Sequence, residues 1–142
     1  MEFKKIESLL EDLLNDKTRV IDFFAENQEK TEVSNELFKD VIIENSVFID
    51  SKATIFIALY VKIIKEITNI NIDKLKLDGD QLSEEIVDDL IIDLGKFLLS
   101  QKDEDDKIIK KYKTHSVSVF DIKNILKWFE VCKNNNLKIL II

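Results

Sequence analysis

The chain has 142 residues, a formal net charge of −7, 45 % hydrophobic residues, no proline and two glycines. That length and apolar content suit one domain and argue against wholesale disorder, and the lack of Pro and Gly disfavours an all-β fold with many tight turns. The acidic balance argues against a nonspecific grip on nucleic acid, and the single cysteine, Cys132, excludes an internal disulfide framework.

Residues 2–15 place Phe3, Ile6, Leu9, Leu10, Leu13 and Leu14 on one stripe, the pattern of an amphipathic helix. It has neither the apolar run nor the small-residue cleavage site of a signal peptide, so a soluble cytoplasmic protein is expected. Thr18 can cap a second helix carrying Val20, Ile21, Phe23 and Phe24, and Ser34 precedes a third with Leu37, Phe38, Val41 and Ile42. Asp50 or Ser51 then caps a central helix. Between Lys52 and Lys62 this segment carries no charge, far short of the about 20 residues that span a bilayer. Phe56, Tyr60, Ile63, Ile64 and Ile67 share one helical face, so the segment reads as an enclosed helix over about 51–68.

Residues 70–81 alternate apolar and polar around Asp78-Gly79, which suits an extended connection or a short strand. Ser83 caps a long helix with Ile86, Val87, Leu90, Ile91, Leu94, Phe97 and Leu98 on its apolar face. Gly95 lies inside it, and close packing of a neighbour would account for a glycine there. The polar stretch 102–114 reads as a short helix or loop, its acids Asp103 to Asp106 preceding its lysines as a helix dipole prefers. Ser118 and Asp121 form a capping-box start for a last helix with Ile122, Ile125, Leu126, Phe129 and Cys132 inward and Trp128 beside them. Asn134 to Asn136 end it. Leu137 to Ile142 carry one charge and read as a strand, with 115–119 as its pairing candidate.

The fold expected from this pass is mainly α. It is a single domain over 1–142, a multi-helix bundle around the central apolar helix, with a small β pairing of 137–142 with 115–119.

Charge is unevenly spread. Residues 1–50 carry 6 basic and 13 acidic side chains, residues 51–100 carry 6 and 9, and residues 101–142 carry 9 and 6. The sharpest feature is an acidic ridge on the helix after Ser83. Glu85, Asp89 and Asp93 stand four apart, as do Glu84 and Asp88, a spacing at which like charges repel by a few tenths of a kcal/mol per pair. An ordinary solvated face is the plain reading and an internal lysine partner a second one; a basic partner surface or a divalent cation is the functional one. An EF-hand ending at Glu85 is rejected, because Lys74 and Lys76 would fill its first and third ligand positions. His115 and Cys132 are the only histidine and cysteine, with no ligand spacing or phosphate loop beside them, so neither a catalytic site, a metal nor a cofactor is expected. Trp128 and the terminal apolar run, Leu137 and Ile139 included, either complete the core or form an interaction patch.

The functional expectation is therefore a small acidic protein-interaction module, an adaptor, inhibitor or immunity-type protein. Glu85, Asp88, Asp89, Asp93, Trp128, Leu137 and Ile139 would meet a partner with a basic surface, not nucleic acid and not a membrane. The alternatives are a structural subunit or homodimer docking through the apolar C-terminus, and a helical sensory domain holding an apolar ligand.

Overall fold

The computed structural model describes residues 22–28, 33–41, 49–51, 54–56, 77–78, 81–102, 104–112 and 115–141. They form eight strands: β1 (Asp22–Glu26), β2 (Ile49–Ser51), β3 (Thr54–Phe56), β4 (Leu77–Asp78), β5 (Gln81–Leu82), β6 (Ile108–Tyr112), β7 (His115–Ser118) and β8 (Lys138–Ile141). Two α-helices, α1 (Glu84–Ser100) and α2 (Val119–Asn134), and a 3-10 turn at Asn35–Phe38 complete the set. The multi-helix bundle is thus overturned: the described residues form an α+β arrangement with more strands than helices.

Both α-helices begin where capping chemistry puts them. Ser83 Oγ accepts from Ile86 N at 3.3 Å, which satisfies one of the orphan donors of α1. Ser118 and Asp121 close a reciprocal box at α2: Ser118 Oγ accepts from Asp121 N at 3.3 Å, and Asp121 Oδ2 accepts from Ser118 N at 2.9 Å. The far end of α2 is a Schellman turn. Leu137 N donates to Cys132 O at 2.8 Å and Asn136 N to Lys133 O at 3.1 Å, with Asn136 in the left-handed region at φ 54°. Asparagine tolerates that conformation better than most residues, so the run of three asparagines ends the helix where the sequence suggests.

The strands are where the sequence misleads. Phe23 and Phe24 lie in β1, not in a second helix, and the expected third helix is a 3-10 turn capped by Ser34, whose Oγ accepts from Glu36 N at 3.3 Å. Thr54–Phe56, inside the expected central helix, is a strand; residues 57–68 lie outside the described residues. The expected helix at 2–15 lies outside them too. The polar stretch 102–114 contributes β6.

A six-stranded antiparallel sheet runs β2-β3-β1-β8-β5-β4, and β6 and β7 form a separate hairpin. The expected pairing of 137–142 with 115–119 is corrected accordingly. β8 is held between β1 and β5, with Ala25 opposite Ile139 and Gln81 opposite Leu140, whereas β7 pairs with β6. Ala25 and Ile139 are both buried, while Glu26, Lys138, Gln81 and Leu140 are half-buried, the alternation of a sheet with one inward face.

α1 packs on α2, burying Val87, Leu90 and Leu94, and α2 is the largest single contributor to the interior among the described residues, with Val119, Ile122, Ile125, Trp128, Phe129 and Cys132. Phe38 of the 3-10 turn stacks on Trp128 with centroids 5.9 Å apart, and Phe129 meets the same indole edge-on at 5.4 Å. The buried Asn124 donates from Nδ2 to Phe120 O at 3.0 Å, so a polar group inside α2 has a partner. The Lys123–Asp105 ion pair and the bond from Phe120 N to Asp105 O at 3.0 Å tie residues 104–107 to the start of α2.

Candidate functional site

The acidic ridge lies on α1, and the helix sorts its members. Glu84, Glu85 and Asp89 are exposed, whereas Asp88 and Asp93 are half-buried. Asp88 accepts from Lys133 Nζ at 2.5 Å, an ion pair across the α1–α2 contact; the other four have no ion pair among the described residues. Dipole compensation accounts for Glu84 and Glu85 in the first turn and does not reach Asp93.

Along the outward face the acids continue into apolar side chains. Glu85, Asp89, Ile92, Lys96 and Leu99 follow one another at intervals of four, three, four and three, which is one stripe of an α-helix. Ile92 is 52 % exposed and Leu99 82 % exposed, so the stripe is acidic at its start and, apart from the exposed Lys96, apolar towards its end. The sequence carries this signal: Ile92 and Leu99 sit seven apart, on the side away from Val87, Leu90 and Leu94. Reading α1 as one broad apolar face hid it.

The remaining candidates behave differently. Trp128 is 0 % exposed and Ile139 2 % exposed, so both belong to the core and are struck from any surface patch. Leu137 is half-buried beside the Schellman turn. β8 has a partner strand on each side, so the apolar C-terminal strand offers no free edge for docking. Its greasiness is explained by its place between β1 and β5.

A cavity of about 260 Å³ opens where the start of α1, the end of α2, β5 and β8 meet. Its lining is mixed: the buried Leu82, Val87, Cys132 and Ile139 and the half-buried Leu137 are apolar, and Gln81 and Asn136 are polar. Glu84, Asp88 and Lys133 stand at its rim. Gln28 closes another side, its Nε2 donating to Asn136 O at 3.2 Å. Nothing in the sequence announces this cavity, since its walls come from three separate stretches of chain, around residues 28, 81–88 and 132–139.

Burial pushes the Cys132 thiol well above its ordinary range, so it stays protonated and unreactive. Burial also raises the Asp121 carboxyl, against the opposing pull of its hydrogen bonds from Ser118. Among the described residues no three His, Cys, Asp or Glu side chains converge on a metal position. No helix among them is long and apolar enough to cross a membrane. No protein-family model, curated protein or solved structure matches the chain.

Proposed function

We propose that this chain is a small, non-enzymatic protein-interaction module whose outward α1 face meets a basic partner. The observation that carries the proposal is the stripe on which the carboxylates of Glu85 and Asp89, without an ion pair among the described residues, run into the exposed Ile92 and Leu99. The two halves would divide the work. Carboxylates speed encounter with a basic surface, and apolar side chains that leave water on contact supply affinity. α1 has 17 residues and so offers a ridge about 25 Å long. That is long enough to form the centre of an interface burying about 800 Å² on each partner. An acidic ridge repels phosphates, so nucleic acid and anionic membrane surfaces are not the partners in this reading. A cytoplasmic location belongs to the same proposal.

The test compares affinity capture from a lysate of the source cells, at low salt, using the native chain, a Glu85→Lys/Asp89→Lys double variant and Ile92→Asp. A partner retained by the native chain, released as salt is raised and lost with both variants is the expected result. Capture that is identical for all three chains, or no specific capture by the native one, sinks the proposal.

A further inference from the structure

We infer that the cavity at the start of α1 receives one long basic side chain, an arginine or lysine presented by the partner, an inference that rests on the partner being basic. Size comes first. At about 260 Å³ the cavity is smaller than the roughly 300–1,000 Å³ of ordinary small-molecule pockets, so it suits a single side chain better than a drug-sized ligand.

Chemistry narrows the occupant further. Away from the rim the lining carries no charge, with Leu82, Val87, Leu137 and Ile139 beside the amides of Gln81 and Asn136, and apolar side chains of this kind suit the methylene stem of a long side chain. The head group is selected at the rim. Glu84 offers a carboxylate without an ion pair among the described residues, and an anion entering here would meet both Glu84 and Asp88. Lys133 shows that this rim accepts an ammonium, since its Nζ already sits 2.5 Å from Asp88. The positive end of the α1 dipole opposes a cation, but it amounts to only about half an elementary charge. Glu84, Glu85 and Asp88 outweigh it even after Lys133 is counted. Glu84 and Glu85 are consecutive, so the cavity mouth and the outward stripe meet at the first turn of α1. A partner lying along the stripe can therefore place a basic anchor in the cavity.

The test titrates the isotope-labelled full chain with the capped tripeptide Ala-Arg-Ala, and separately with its neutral citrulline counterpart, following backbone amide shifts by NMR. Saturable shifts at Val87, Cys132 and Ile139 are expected with the arginine peptide, at least fivefold weaker with citrulline. Glu84→Gln, at an exposed position that leaves the core intact, should weaken binding about two- to fivefold, and Lys133→Met should strengthen it by a similar factor by releasing Asp88. Equal binding of the two peptides, no shifts, or shifts confined to Glu85 and Asp89 overturn the inference and leave the outward-face proposal standing. Arginine-selective shifts in a chain that captures no partner do the reverse: they support the cavity's preference and sink the interface reading.

Discussion

Trp128 separates a core role from a surface role most sharply, because the two predict opposite results for one substitution. Its indole is 0 % exposed, stacks on Phe38 and meets Phe129 edge-on. Trp128→Ala removes that burial, leaves a cavity inside α2 and detaches the 3-10 turn from it. Losses of this kind cost about 3–5 kcal/mol, of which each aromatic contact contributes about 0.5–1.5 kcal/mol. A domain of this size holds about 5–15 kcal/mol in total, so about a fifth of the stability or more goes. At roughly 3 °C per kcal/mol the midpoint should fall by about 10–15 °C. Far-UV circular dichroism, on heating for the midpoint and in urea for the free energy, is the assay, since the variant has no tryptophan left to follow. In the native chain that sole indole should emit at short wavelength and resist acrylamide quenching until the protein unfolds. A Trp128→Ala variant within about 1 kcal/mol of the native chain refutes the packing described here and returns Trp128 to the surface.

Three further outcomes follow from the same packing. Among the described residues a Cβ built on Gly95 meets nothing within 4 Å, so none of them explains the glycine, and Gly95→Ala should stabilise the protein by about 0.5–1 kcal/mol in urea unfolding. Loss of stability would reveal a contact at that position. The Asp121 carboxyl is raised above its ordinary 3.8 by burial, so the folded chain binds that proton more tightly than the unfolded one. Its contribution is then most favourable at low pH and declines as pH rises from about 3.8 through the folded value. Asp121→Asn, which keeps an acceptor for the Ser118 backbone N–H, should gain on the native chain across that window; parallel urea midpoints at every pH would contradict this. Asp89→Lys turns two like-charge pairs, with Glu85 and Asp93, into opposite-charge ones and should stabilise by about 1 kcal/mol in the same assay. An unchanged or lower midpoint would show that the ridge is not under repulsion.

The helices were legible because their signals are local. Ser83 and the Ser118–Asp121 box stand in the sequence next to the donors they satisfy, and the 3.6-residue period of Val87, Leu90 and Leu94 needs no distant partner to be seen. The strands were not legible, for the opposite reason. β1 and β3 are five and three residues long, and an apolar run of that length fits a buried helix as well as a strand. What makes β1 a strand is β8 on one side and β3 on the other, and β8 comes from the opposite end of the chain. Thr54 and Ile55, β-branched and paired to β1, show how tertiary pairing overrides a helical period. The candidate site divides along the same line. The ridge of Glu85, Asp89 and Asp93 could be read from spacing on one helix, while the cavity, and the burial of Trp128 and Ile139, depend on segments that meet only in the fold.

α1 is under two demands that pull its charges in different directions, and the difference is where function can be sought. Its inner residues, Val87, Leu90 and Leu94, hold it to α2 and are indifferent to what the outer face carries. Glu84 and Glu85 help the helix, because a negative charge in the first turn complements the dipole. Asp89 and Asp93 gain nothing there and repel their neighbours four residues away. Helix stability alone would favour lysine at 89. A solvated surface would be equally well served by either sign, so neither the fold nor solubility asks for these acids. The proposed basic partner would. The proposal therefore predicts opposite signs for one substitution: Asp89→Lys should raise the urea midpoint and reduce partner capture together, a combination that general loss of structure cannot produce. If the midpoint rises and capture is unchanged, the acids at 89 and 93 are solvated surface and the partner-binding role of the ridge is lost.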